Sequence, residues 1–429
     1  MIKTLCTTGI LFLWVPLAGF SQAVLELREA LKTGLANNYS IRLQKNEETI
    51  AGNNNTLGNA GFLPSVSLSA NQNNTINTTH QEQFSGTLRD VDNAKNNSLN
   101  LGLQVNWTIF DGMRMFVNRR MRGTLEELGV NGTTLVMENF TADASSMYYA
   151  IVQAKKIVRV AKEALDLSTR RREIAEAKLK IGSGSQLMLM QSTVDQNADS
   201  TRLLQQITML ENLKTDMNRL LGRDVLIPFD VADTIPFLGL PAADTVFAMA
   251  DRQNSQLAAA RLRSDLARFE IRAEQADRYP KLSLNGSYSY STLKAETGFL
   301  KQNQSFGPSY GISLSFNLFN GFNVTRSIQN ARIMLNSADL ETDEIALGIR
   351  GTLTKLMNQH AGNRRIAALQ QENVVVAHEN MNIAFEKYKL GSLNDLELRE
   401  IQRKLIEADY ELIAADRKST RLNSSHRIR

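Results

Sequence analysis

The chain has 429 residues, 42% of them hydrophobic and 22% charged, with a formal net charge of +5. Residues 417–429 hold five cations (Arg417, Lys418, Arg421, Arg427, Arg429) and no acid, so the 49 basic and 44 acidic residues become 44 against 44 without that tail. A neutral body excludes nucleic acid as a partner, and a single cysteine, Cys6, excludes disulfides.

Residues 1–23 read as a secretory signal peptide: Lys3 in a positive n-region, the apolar core "GILFLWVPLAGF", and the small-residue cleavage site "SQA". The core is too short to span a bilayer as a helix. Cys6 lies before it, badly placed to carry a lipid at the cleavage site, and leaves the mature chain without a thiol.

Segment 24–222 reads as a helix, a strand pair within 64–110, a very long helix, a glycine turn near 182 and a further helix. Val66, Leu68 and Ala70 interleave with serines, and Leu99, Leu101, Leu103, Val105, Trp107 and Ile109 interleave with Asn, Gly, Gln and Thr. This period of two marks a half-buried strand or a membrane barrel strand. The Asn/Gln/Ser-rich stretch 71–98 reads as a loop between the strands. From 113 to about 180, Phe140, Ala144, Met147, Ile151, Ala154, Val158, Ala161 and Leu165 alternate steps of four and three, as a coiled-coil seam does. Roughly 65 helical residues reach roughly 100 Å. A rod or a tunnel uses that length; a compact domain does not.

Pro228, Pro236 and Pro241 mark 223–246 as a linker, and 247–416 then repeats the first half. "ANNYSI" (36–41) parallels "RQNSQL" (252–257), and "AGFLPSVSLSA" (60–70) parallels "ADRYPKLSLNG" (276–286), both offset by 216. "WTIFDGMR" (107–114) parallels "FNLFNGFN" (316–323), and "AEAKLKIGSGSQ" parallels "AFEKYKLGSLND", both offset by 209. The second strand pair lies within 280–320, where Leu282, Leu284, Tyr288 and Tyr290 are matched by Tyr310, Ile312, Leu314, Phe316 and Leu318. The chain is an internal duplication, closed by the tail 417–429, which is similar to translated vector sequence and in which helical periodicity stops.

Four strands cannot close a membrane barrel, which begins at about eight, and an open sheet edge cannot face lipid. Membrane strands here must therefore be shared between copies: two give eight, three give twelve. A soluble hairpin capping a rod is the alternative.

With this duplication, "FLPSVSLSA" and "RYPKLSLNG" opening the strand pairs, "IFDG" and "LFNG" closing them, and two glycine turns, the chain resembles the TolC-like outer membrane efflux proteins over residues 24 to about 416. The resemblance implies a mixed membrane β-barrel and α-helical barrel. Four strands per chain of a homotrimer form a twelve-stranded barrel in outer membrane lipid, continuous with a long coiled-coil helical tunnel in the periplasm. It implies the exit duct of a tripartite efflux pump or type I secretion system. The partners are then a periplasmic adaptor protein and an inner membrane transporter of RND, ABC or MFS type. Trp107, Phe110, Tyr288, Tyr290, Tyr310, Phe316 and Phe319 become the transmembrane strand aromatics.

By the same resemblance, Gly182, Ser183, Gly391 and Ser392 form the adaptor-contacting turns, and Tyr388, Glu397, Glu400, Met188 and Leu393 the periplasmic aperture. Local chemistry agrees with turns: each glycine suits the left-handed end of a helix, while Ser392 with Asp395, and Ser185 after Gly182, have the placement of caps for the next helix. Glu400 has Lys404 four residues on, as a solvated helix face would; Glu397 has no cation three or four residues away. Met188 and Leu393 stand where the family has an acid and an arginine that link helices, so apolar packing is expected to replace that latch.

The four histidines are scattered, no metal-binding or nucleophilic spacing occurs, and the methionines do not cluster. No catalytic residue, cofactor or metal is expected. The competing function is a non-conducting exported coiled-coil protein, structural or adhesive.

Overall fold

The computed structural model describes residues 24–82, 84–233, 241–297 and 300–425, with side chains to 416. The signal peptide with Cys6, Pro236 of the linker and the last four residues lie outside them. Their elements are β1 (Val24–Leu25), α1 (Leu27–Asn37), α2 (Tyr39–Asn54), α3 (Leu57–Ala60), β2 (Ser65–Glu82), β3 (Leu88–Asp111), α4 (Arg114–Lys180), α5 (Gln186–Leu220), β4 (Asp230–Val231), α6 (Ala243–Gln253), α7 (Ser255–Ala276), β5 (Lys281–Ala295), β6 (Gln302–Ser315), α8 (Asn323–Lys389) and α9 (Asp395–Ser425). They divide into two units, one from residues 24–39, 138–233 and 356–425, the other from 40–137 and 241–355.

The second unit holds an antiparallel sheet in the order β2-β3-β5-β6. Its register sorts the side chains over the central rungs, while Gln72, Asn74 and Lys294 share the apolar face and Leu293 the polar one. One rung joins Leu68, Leu103, Tyr288 and Pro308; the next joins Ser67, Gln104, Ser287 and Ser309. Since strand neighbours alternate faces, one face carries Val66, Val105, Trp107, Leu284, Tyr310 and Ile312, and the other Ser, Asn, Gln and Gly. Both edges, β2 and β6, are unpaired among the described residues.

The strands are longer than expected. Residues 71–98, expected as a loop, are almost all strand: Gln72 pairs with Leu99 and Ile76 with Lys95, and only the short turn at Gly86 (φ 78) separates β2 from β3. Polar composition suggested a loop, but Thr75, Ile76, Thr78 and Thr79 are β-branched and fit a pleated surface. The second pair is shorter than expected. β6 ends at Ser315, so Phe316 and Phe319 are not strand aromatics; they lie in the turn that Gly321 (φ 65) and Phe322 (φ 61) carry into α8, where Phe319 meets Phe322 edge-on at 5.4 Å. "IFDG" ends β3 for a packing reason. Gly112 has φ 73, and a Cβ there would sit 2.2 Å from the Ala276 carbonyl oxygen, while Asp111 Oδ1 accepts from the Met115 N–H at 3.1 Å.

The single helix expected before each strand pair is broken up: α1, α2 and α3 precede the first pair, and α6 and α7 the second. The chain turns at Asn38, between α1 and α2, and at Asn254, whose Oδ1 accepts from Leu257 N at 3.0 Å to start α7. A side-chain carboxamide that satisfies the next helix's free N–H groups makes such a break inexpensive.

In the first unit the expected α4 seam is buried at Phe140, Ala144, Ile151, Ala154 and Ala161, and half-buried at Met147, Val158 and Leu165. An unexpected parallel pair joins β1 to β4, where Lys155 reaches Asp230 at 2.7 Å and Asp233 at 2.8 Å, and the Tyr148 hydroxyl donates to the Leu25 carbonyl at 3.0 Å. The proline-rich linker thus contributes β4 and the start of α6. Helix α9 continues beyond 416 to Ser425, where periodicity had suggested a stop; 417–425 contain neither Gly nor Pro to end it. Among the described residues no helix is long and apolar enough to cross a membrane.

Candidate functional site

The two glycine turns lie in the first unit and share one backbone. Gly182 (φ 75) and Gly391 (φ 78) are both left-handed. Gly182 N–H donates to Leu179 O at 3.1 Å and Ser183 N–H to Lys178 O at 2.9 Å; Gly391 and Ser392 repeat this onto Tyr388 O and Lys387 O at 3.1 and 3.0 Å. This Schellman pairing satisfies the last carbonyls of α4 and α8. The Ser183 and Ser392 hydroxyls donate to the same Lys178 and Lys387 carbonyls. Ser185 starts α5 as expected, accepting from Met188 N at 3.2 Å. Ser392 does not cap α9; Asn394 does, with Oδ1 accepting from Glu397 N at 2.8 Å. Asp395 therefore closes no capping box. Each turn also exposes two large apolar side chains, Ile181 and Leu187 in one, Leu390 and Leu396 in the other.

Tyr388 does not line an opening within this chain. It is fully buried, in a cluster with Met381, Ala384, Leu398 and Leu405, against which Met188 and Leu393 both pack. Its ring fills the space between helices, its hydroxyl donates to Asp395 Oδ1 at 3.2 Å, and Lys178 Nζ lies 4.2 Å from its ring centroid while donating to its carbonyl at 2.8 Å. Burial first, then the Asp395 carboxylate, push the phenol well above its ordinary value.

Around Tyr388 runs a buried charge network absent from the sequence-based expectation. Arg171 of α4, 1% exposed, pairs with Asp195 of α5 and lies 3.3 Å from Asp395 of α9. Arg399 reaches Asp199, also 1% exposed, at 2.9 and 3.3 Å, and stands 3.8 Å from Asp195. Burial lowers the Arg399 pKa, but the Asp199 hydrogen bond and charge outweigh it, and the net shift is upward. Such groups remain charged in the interior only when paired. The sequence signal was there in the four-residue spacings Asp195/Asp199 and Asp395/Arg399, which put each pair on one helix face.

The two glutamates differ. Glu400 is held by Arg403 through two bonds of 3.0 and 2.8 Å, with Lys404 only at 4.0 Å; the Arg403 hydrogen bond holds its carboxyl below the usual range. The partner is thus three residues on rather than four. Glu397 is exposed and has no ion pair among the described residues. No group of three or more His, Cys, Asp or Glu side chains among them could hold a metal ion.

The described residues thus combine a one-sided apolar sheet, both of whose edges are unpaired among them, with two 67-residue helices that end in matched glycine turns. Residues 247–425 match the family model described as outer membrane efflux protein. The chain is 22% identical over 421 residues to the alkaline protease secretion protein AprF of Pseudomonas aeruginosa, covering 92% of this chain and 84% of that one. It is 20% identical over 416 residues to the proteases secretion protein PrtF of Dickeya chrysanthemi, covering 92% and 86%. The structure matches the outer membrane channel CmeC of Campylobacter jejuni with a TM-score of 0.78 at 14% identity, covering 93% and 84%. Residues 247–425 thus carry the signature of the outer membrane efflux protein family, and the structure shares the fold of solved outer membrane channels.

Proposed function

We propose that this chain is one of three identical subunits of an outer membrane exit duct, through which cargo passes without chemical change. The observation that carries the reading is the four-stranded sheet, apolar on one face and polar on the other, with both edges unpaired. In lipid each unpaired backbone group costs several kcal/mol. The edges are satisfied when β2 of one copy meets β6 of the next, and three copies give twelve strands with the apolar faces outward. The matching element order of 24–222 and 247–416 supports a duplicated chain that supplies two hairpins and two helix pairs to each third of the duct.

The paired turns, with Ile181, Leu187, Leu390 and Leu396 exposed beside Ser183 and Ser392, suit the docking of a periplasmic adaptor that joins the duct to an inner membrane transporter. Relatives named for protease secretion favour polypeptide cargo and a type I system. Glu397 supplies a ring of three carboxylates at the aperture; Tyr388 and Arg171 hold the helices that carry it. At 4 Å two such charges repel by ~1 kcal/mol in water and ~4 kcal/mol at an effective dielectric of 20, so the ring attracts cations.

The test is conductance of the purified chain in planar bilayers, with and without Glu397→Gln. Cation-selective channels that lose much of their selectivity on neutralisation are expected. A pore indifferent to the change discards the ring and keeps the duct; a chain that stays water-soluble and never inserts leaves the coiled-coil rod.

A further inference from the structure

We infer that the band of sheet between the Asp111–Lys281 pair and Lys95 carries no charge and no aromatic ring toward the cargo, so that it suits an extended polypeptide of either sign and retains neither charged nor aromatic small molecules. The inference rests on the duct reading, which sets the polar face of the sheet toward the lumen.

Its basis is how the residues sort. Across 65–79, 96–110, 282–293 and 302–315 there is no Asp, Glu, Lys or Arg on either face. Lipid explains that exclusion on the apolar face. It does not explain it on the polar face, where water would tolerate charge. There the rungs read Ser67–Gln104–Ser287–Ser309 and onward; charge returns outside this band, at the paired Asp111 and Lys281 on one side, and on the other at Lys95, Lys294 and the outer part of the first hairpin, with Glu82, Arg89, Asp90 and Asp92. Every aromatic side chain of the four strands, including Tyr288, Tyr290, Phe306 and Tyr310, has its register on the opposite face.

These two exclusions bear on cargo. A charged wall holds the opposite sign and slows its passage; a wall of aromatic rings stacks flat or cationic ligands. Hydroxyls and carboxamides do neither, yet exchange hydrogen bonds with a peptide backbone about as water does. A polypeptide presents both signs of charge and many side-chain types in succession, and only a wall without preferences passes all of them. Discrimination by charge is then left to the helical part of the duct.

The experiment uses Glu397→Gln channels of the full chain in planar bilayers, which lack the proposed carboxylate ring. The probes are two unfolded ten-residue peptides, one Lys-rich and one Glu-rich, each about as long as the sheet band, and the aromatic cation tetraphenylphosphonium. Blockade times for the two peptides should agree within about threefold, with tetraphenylphosphonium no longer than either. Ser287→Lys, one charge per subunit on the polar face, should lengthen the Glu-rich blockade about tenfold, as an unscreened pair contributes. A difference above tenfold between the peptides, a long tetraphenylphosphonium block, or a Ser287→Lys channel that behaves as its parent overturns the inference while the pore stands. Failure to form any pore overturns it together with the duct.

Discussion

The turns at Gly182 and Gly391 have the same backbone and opposite chemistry. At positions 209 apart, Leu179 answers Tyr388, Gln186 answers Asp395, Met188 answers Glu397, Met190 answers Arg399 and Gln191 answers Glu400. At these five positions the first turn is apolar or neutral, whereas the second carries a phenol or a charge. Both need a left-handed glycine, a Schellman pair and a cap, and nothing in that geometry depends on the side chains that differ. The turn is therefore a backbone device that leaves its flanks free to vary. Only the second copy has used that freedom to place Glu397 and Glu400 just after the turn and a phenol among charges.

The largest expected effect comes from the charges beneath the second turn. Removing Arg171 leaves Asp195 and Asp395 close together without their cation, and breaking a buried pair in this way costs ~3–5 kcal/mol. Arg171→Met should lower the melting temperature of the helical signal sharply, whereas Asn380→Met at the exposed counterpart should change it little. Replacing Arg171, Asp195 and Asp395 together by Met, Leu and Leu should restore most of the loss, since an apolar core of like volume substitutes well for buried ions. A neutral Arg171→Met would show that the second copy's chemistry is not anchored in α4.

Substituting the glycines tests the shared half of the comparison. No atom lies within 4 Å of a Cβ built on Gly182 or Gly391, so Gly182→Ala and Gly391→Ala meet only the left-handed strain of ~1–2 kcal/mol. The two should shift the thermal midpoint equally. A markedly larger loss at Gly391 would mean that the assembled duct packs that turn closely.

What was legible in the sequence follows the same division. The glycine turns, Ser185, the α4 seam and the "IFDG" end of β3 could be read because each depends on residues close in sequence. Long-range arrangements could not. Arg171 meets Asp395 only when α4 and α9 lie side by side, and β1 pairs with β4 across most of the first unit's chain. Tyr388 matched a family position, but its burial depends on Leu398 and Leu405 of the following helix. The stretch 71–98 misled because Asn and Ser favour loops in water, whereas here they pair as strands, Asn73 with Ser98 and Asn74 with Asn97. Ser392 was taken for a cap because serine is a common one; Asn394, placed as Ser185 is in the first turn, fills the role.

The smallest expected effect separates the two glutamates. Glu400→Gln makes the second turn match the first, where Gln191 stands, and removes the Arg403 pair. Because the folded carboxyl lies below its ordinary pKa, the pair stabilises above the usual carboxylate range and its contribution disappears as pH falls through the folded value. Both partners are exposed, so the effect should be slight, visible at neutral pH and low salt, and absent in 1 M salt or in acid. Ion selectivity should not move with it, since the carboxylate already faces its own cation. Glu397→Gln should give the reverse, a change in selectivity with no change in melting. If Glu400→Gln alters selectivity as strongly as Glu397→Gln does, Arg403 swings away in the assembled trimer and both acids line the aperture.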